Sequence, residues 1–229
     1  MKFNDSKVLS DRKPHQAINL AKAFFLCHTS STLIFPSCQY VSIRSKPCYG
    51  FSLGITKERS LIGAFSFYTK TKEISDVSCD GCGLKVVAKK RVLLEEGAPF
   101  LIIQLNRFFS PEDRIKGCIT FPLSLDLAPY YSSSKGMHYE LYGFIVHAGE
   151  YASSWHYYNV IFESSSWYKL NNEDFDPVDE QEVLKQEAYT LFYRRHTIDM
   201  NAMPSYSDTS LGENSEEERL IPLGMIHHP

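Results

Sequence analysis

The sequence predicts an α+β fold dominated by an antiparallel sheet. From Lys85 onward, apolar runs rich in β-branched and aromatic residues follow one another, which is strand rather than helix composition. The loops between the later runs are short and polar, as in an antiparallel meander, and helical periodicity is confined to brief stretches.

Taken in order, Ala17–Cys27 (AINLAKAFFLC) has a short helix-like apolar pattern, and Ser/Thr/Pro punctuation follows it. The alternating CQYVSIRS and FSLGI then read as strands, and Ser60–Lys72 as a short helix. LKVVAKKRVLL and PFLIIQLNRFF are strands, SPEDRIKG is a turn, and CITFPLSL is another strand. ELYGFIVHAG, HYYNVIFES and WYKLNN form the meander. EDFDPVDEQE reads as a solvated loop leading into a helix over Asp179–Lys185, and AYTLFYRR as a further strand. After Thr197 the acidic, aperiodic SDTSLGENSEEER reads as a disordered tail. No internal repeat is evident.

Composition narrows the function classes. The chain has 229 residues, 43% of them hydrophobic and 14% aromatic, enough to bury a core. The formal net charge is −3 and no Lys/Arg run exceeds two residues, so no electrostatic footprint for nucleic acid or anionic membrane is present. Aromatic stretches such as AFSFYTKT are therefore read as core, and nucleic acid is not an expected partner. The opening MKFNDSKVLSDRKPHQ lacks an apolar leader and no stretch approaches a membrane span. The expectation is an intracellular protein of the cytoplasm or nucleus. Its six cysteines then read as reduced thiols or metal ligands rather than a disulfide framework.

The most informative segment is Tyr139–Asn172. It places His156 at the start of one strand and Asn171 at the end of the next. A neutral imidazole needs a third group to fix its tautomer before it can deprotonate a thiol, and an Asn carbonyl on a neighbouring strand can do that.

The ordered series SCDGCGLKVVAKK, LIIQLNRF, ITFPLSLDL, YELYGFIVHAG, WHYYNVI, WYKLNN and AYTLFYRR resembles the C-terminal half of the ubiquitin-specific protease catalytic domain. The similarity covers roughly Ser60–Arg195, with a weaker extension back to Phe35. It implies a partial papain-like cysteine peptidase fold: residues 1–34 an N-terminal segment, 35–195 fingers and palm, 196–229 a tail. The resemblance implies cysteine-type hydrolysis after the terminal Gly of ubiquitin, with ubiquitin or ubiquitinated proteins as partners. His156 would be the general base, Asn171 its orienting group, and Asn172 a neighbouring orienting or oxyanion group. Tyr157, Trp155 and Gly149 would line the channel for the ubiquitin tail, with Gly149–Ser154 a loop covering it and Arg107–Gly117 a second loop nearby. His147 is assigned to structure.

Three departures qualify that resemblance. No N-T-C box is present in this sequence; Cys27, in FFLCHTSS, lacks the preceding Asn and is read as a buried small apolar residue. A chain without a nucleophile is expected to be inactive alone, either as a fragment of a deubiquitinase or as an inactive relative that binds ubiquitin or another protein. Trp155 stands where the family has Gly, and its indole either fills the channel or points away from it. Finally, Cys79 and Cys82 form one C-x-x-C knuckle, whereas Cys38 is followed by Val41 in place of the second cysteine of the other. Structural zinc takes four ligands, so the expectation is a finger without cofactor; the competing reading is zinc on Cys38, Cys79 and Cys82 with Cys48 swinging in.

Overall fold

A computed structural model describes residues 14–55, 59–108, 110, 113–133, 137–149 and 156–196, with side chains placed from Leu20 onward. The first helix, α1 (Pro14–Phe25), lays Phe24 and Phe25 against Phe100, with ring centroids 5.8 and 6.1 Å apart.

Two antiparallel hairpins build a four-stranded sheet. β1 (Cys27–Phe35) pairs with β2 (Tyr40–Cys48), and β4 (Lys72–Ser78) with β5 (Lys85–Glu96). β1 also pairs with β5, giving the order β2-β1-β5-β4. Both hairpin tips therefore lie at the same end, where a Cβ on Gly81 would run into the Tyr40 ring. β1 and β4 are absent from the sequence reading, because CHTSSTLIF and KEISDVS are half polar: one face of this sheet is open to water.

The second sheet has the order β11-β10-β9-β8-β12-β6-β3, with β7 alongside β8. β6 (Phe100–Asn106) buries Leu101, Ile103 and Leu105 in strict alternation. β3 (Phe51–Gly54) runs parallel to β6, and β12 (Ala188–Arg195) lies between β6 and β8 (His138–His147). A register shift opposite Phe192 and Tyr193 lets both Leu141 and Phe144 of β8 reach the core. β9 (Tyr157–Glu163), β10 (Ser166–Asn171) and β11 (Asp174–Val178) continue the expected meander.

α2 (Leu61–Thr69) covers the core, turning Leu61, Ala64 and Phe65 inward, and the Ser60 side chain accepts from the Gly63 amide as its N-cap. α3 (Glu180–Val183) is capped in the same way by Asp179. Two local readings are corrected. CITFPLSL yields only the three-residue β7 (Ser124–Asp126), since Pro122 offers no ladder donor. EDFDPV is not a loop but the edge strand β11, where Pro177 is tolerated because one side of the strand has no partner. The acidic tail beyond His196 lies outside the described residues.

Phe144, Val146, Val160 and Trp167 of the larger sheet are buried in the main cluster with Phe121, Leu125 and Val183. Much of the exposed apolar surface lies on the four-stranded sheet, at Ile34, Val41, Ile43, Leu84 and Val87.

The two sheets join tightly at Gly97. A methyl group there would overlap the hydroxyls of Tyr131 and Tyr139, and Tyr139 donates to the Ala98 carbonyl at 3.0 Å. Gly97→Ala is expected to cost about 1–3 kcal/mol in urea unfolding, because both rings are buried and cannot swing aside.

Candidate active site

β8 and β9 approach the site as a pair. Their ladder ends at His147 opposite Tyr157 and continues one step, the Ala148 amide donating to the His156 carbonyl at 3.0 Å. His156 is thus fixed at the mouth of β9 with its side chain exposed.

The β9–β10 turn sets the position of Asn171. Ser164 and Ser165 both adopt positive φ, 48° and 66°, as a two-residue primed turn requires, and Ser166 then pairs with Glu163. The register runs to Leu170 opposite Asn159. Continued one step, this register sets Asn171 opposite Tyr158, at the end of the sheet where His156 leads into β9. Asn171 is half-buried, and its Oδ1 is buried with no hydrogen-bond partner among the described residues. An unpartnered buried carbonyl is costly, so this acceptor is poised for a donor.

Asn172 shapes the next turn. At φ 56° it forms the turn into β11, where Asn171 pairs with Asp174, and its side chain is exposed. Asn tolerates this left-handed conformation better than most residues.

Tyr157 points to the sheet face opposite Asn171. Its ring packs on His147, centroids 4.6 Å apart, and near Tyr189 at 6.4 Å; partial burial, then the Tyr189 ring, push its phenol upward in pKa. His147 is buried beside Phe108, Tyr157 and Tyr189, the surroundings of a structural histidine. Of the expected loop, only Gly149 is described; Trp155 lies outside the described residues.

Around these groups stands a polar frame that sequence reading left unassigned. The fully buried Arg107 donates through Nε to the Ala188 carbonyl at 2.7 Å and through Nη1 to those of Ile115 and Gly117 at 3.1 and 3.0 Å. Burial lowers its pKa, opposed by the Glu187 carboxylate. Glu187 in turn holds Arg114, and neither residue belongs to a motif that would have singled it out.

Five of the six cysteines fall into two groups. Cys27 and Cys48 face each other across β1 and β2 with Cα atoms 5.1 Å apart, and form a disulfide. This corrects the expectation of reduced thiols throughout, and it takes Cys48 away from any metal. The hairpin register creates the pair, which a spacing of 21 residues could not announce. Cys27 is buried, as expected, but in the four-stranded sheet and with its sulfur already bonded.

Cys38, Cys79 and Cys82 converge at the adjoining hairpin tips, their sulfurs all within 4.8 Å of one another. Cys38 and Cys79 share a hydrogen bond at 3.4 Å. The Tyr40 amide pulls the Cys38 thiol down in pKa, yet the neighbouring Cys79 thiol and burial leave it raised. Burial pushes Cys79 up, yet the Cys82 amide and the Cys38 thiol leave it lowered. Three soft donors are compatible with a structural zinc. Among the described residues no fourth Cys, His, Asp or Glu joins them, and Val41 stands exposed on β2.

The two-sheet frame that holds these residues also occurs in known proteins. The family model for ubiquitin carboxyl-terminal hydrolases matches residues 3–193, reaching further toward the N-terminus than the motifs alone. This chain belongs to the ubiquitin carboxyl-terminal hydrolase family. Its fold is the papain-like catalytic fold of ubiquitin-specific proteases, a family of cysteine-type deubiquitinases. Ubiquitin carboxyl-terminal hydrolase 21 of Arabidopsis thaliana is 31% identical over 189 residues, covering 79% of this chain and 26% of that protein. The human protein named inactive ubiquitin carboxyl-terminal hydrolase 17-like protein 7 is 29% identical over 181 residues, covering 76% of this chain and 34% of that one. A chain of the SAGA DUB module Ubp8/Sgf11/Sus1/Sgf73 bound to monoubiquitin superposes with a TM-score of 0.70 at 26% identity, covering 79% of this hydrolase-family chain and 42% of that one. The chain thus spans about a quarter of the length of curated relatives it matches, such as the Arabidopsis hydrolase.

Proposed function

We propose that this chain is the finger and palm part of a thiol-dependent deubiquitinase, carrying the base side of its active site, and that it does not turn over substrate by itself. The observation that carries this reading is the buried Oδ1 of Asn171, without a partner among the described residues, one step past the Leu170–Asn159 pair at the His156 end of β9. That carbonyl can accept from one imidazole nitrogen and leave the other free to take a proton.

In the complete site the second nitrogen of His156 would deprotonate a cysteine thiol. The thiolate attacks the carbonyl carbon of ubiquitin's terminal glycine, and the C–N bond breaks as the imidazolium returns its proton to the departing amine. Water, deprotonated by the same imidazole, then attacks the thioester; the thiol is released and ubiquitin leaves as a carboxylate. Asn171 holds the ring through both halves. Asn172 is free to assist as a neighbouring polar group, and Tyr157, Gly149 and Trp155 would border the tail. Ubiquitin or ubiquitinated protein is the proposed partner, in cytoplasm or nucleus.

The purified chain is expected to bind ubiquitin in a titration and to leave a fluorogenic ubiquitin amide uncleaved. Turnover above blank that disappears in Cys27→Ala would overturn the assignment and make Cys27, released from its disulfide, the nucleophile. Absence of ubiquitin binding would contradict the ubiquitin-recognising role.

A second reading, an inactive relative that binds ubiquitin as its whole task, draws support from the likeness to the human protein named inactive. A thumb and Cys box fused ahead of the chain separates the two: rescue of hydrolysis favours the first reading, and its failure with binding retained favours the second.

The finger is proposed to fold without metal, because Val41 leaves the three-cysteine cluster one ligand short. A strong chelator should leave the thermal melt unchanged. Structural zinc contributes about 10–16 kcal/mol in small zinc-dependent folds, so a large fall in Tm on chelation would establish zinc on Cys38, Cys79 and Cys82.

A further inference from the structure

Between α3 and β12 the chain runs Gln186–Glu187–Ala188, and each of the three residues reaches a different part of the His156 surroundings. Gln186 Oε1 accepts from the Tyr158 hydroxyl at 2.6 Å, two residues beyond His156. Ala188 supplies the carbonyl that receives Arg107 Nε. Glu187 takes two donors at once: Arg114 Nη2 at 2.6 Å on one oxygen and the Gly117 amide at 2.7 Å on the other. Arg114 then directs Nη1 to the Gly149 carbonyl at 3.3 Å. The residue before Gly149 is Ala148, whose amide carries the His156 carbonyl.

We propose that Arg114 and Glu187 form a positioning pair, fixing Gly149 through Arg114 and thereby the backbone hydrogen bond that presents His156. This rests on the reading of His156 as the base. The pair differs from an ordinary surface ion pair. The Arg114 side chain is only 11% exposed, and its Nε is buried with no partner among the described residues, so the guanidinium is held against a desolvation cost. Both Glu187 oxygens are engaged by donors on the Arg107–Gly117 segment, and charge-assisted bonds of this kind are short and directional. The reach extends to β9: after burial, the nearby Glu187 charge raises the Tyr158 phenol, while Arg114 lowers it. Glu187 thus ties the segment before β7 to Gly149, just after β8, through Arg114, and Gln186 beside it holds Tyr158 of β9.

The test is NMR on the full chain, following amide exchange at Ala148 and the ring resonances of His156, the latter assigned by their loss in His156→Ala. Arg114→Ala and Glu187→Gln are each expected to speed Ala148 exchange by about tenfold or more and to shift the His156 ring signals, while the amides of β6 and β12 keep their protection. Arg114→Lys, which keeps the charge but not the two-pronged reach, should fall between. Unchanged Ala148 and His156 signals would overturn the proposal, as would a uniform rise in exchange across the palm, which marks a general contribution to stability. Should Arg114→Ala fail to fold, the isosteric Glu187→Gln decides by the same signals. Neither signal requires ubiquitin, so failure of ubiquitin binding in the titration above is a separate result.

Discussion

Fused behind a family thumb that carries the Cys box, the chain is expected to hydrolyse a fluorogenic ubiquitin amide, and His156→Ala to lower kcat/KM by about 10^4-fold. The size follows from the chemistry: without the imidazole, neither thiol activation nor amine protonation has an agent. Asn171→Ala in the same fusion should cost less, roughly 10–10^3-fold, because a neutral carbonyl orients the ring but supplies no full charge to the imidazolium. Trp155→Gly should raise activity if the indole occupies the channel, and equal activity would place it elsewhere. A His156→Ala fusion as active as its parent would remove His156 from the mechanism.

Arg107→Ala is expected to lose about 3–5 kcal/mol of unfolding free energy, because the substitution strips donors from three carbonyls, Ala188, Ile115 and Gly117, around a fully buried site. Arg107→Lys should recover only part of this, since an ammonium cannot span the fork of the guanidinium. Urea unfolding of the full chain measures both; a loss below about 1 kcal/mol for the alanine variant would mean that water or local rearrangement satisfies the carbonyls.

The palm was legible in the sequence because its strands are apolar runs of strand length. LIIQLN buries alternate positions, YELYGFIVH and AYTLFY are apolar with the alternation interrupted at register shifts, and Ser60 and Asp179 mark helix starts that the structure uses as caps. The four-stranded sheet was half legible. β1 and β4 alternate apolar residues with Ser, Thr and Asp, so their strand character comes from pairing with β5 rather than from their own composition. The disulfide was illegible for a related reason: Cys27 and Cys48 meet only through the full β1–β2 register. Cys38, by contrast, was grouped with Cys79 and Cys82 on local knuckle spacing, and the two hairpin tips do bring them together.

At the candidate site, His156 and Asn171 could be named from motif context, but the placement of Asn171 at the His156 end of β9 follows from the Ser164–Ser165 turn, which sets the register. The turn role of Asn172 became apparent only with its positive φ. Arg114 and Glu187 had no signal at all. An ion pair between residues 73 positions apart is a product of topology, and neither residue has a spacing that announces chemistry.

The proposed role of the Asn171 carbonyl is to orient His156. Nitrogen-15 NMR of the imidazole in the full chain tests it most directly, because ring nitrogen shifts report which nitrogen carries the proton. The wild-type His156 ring is expected to hold one dominant tautomer at neutral pH, and Asn171→Ala to redistribute the proton between the two nitrogens while Trp167 and the other β10 signals stay in place. An identical tautomer balance in both proteins would contradict the pairing and return His156 to the role of a surface histidine at the end of a strand.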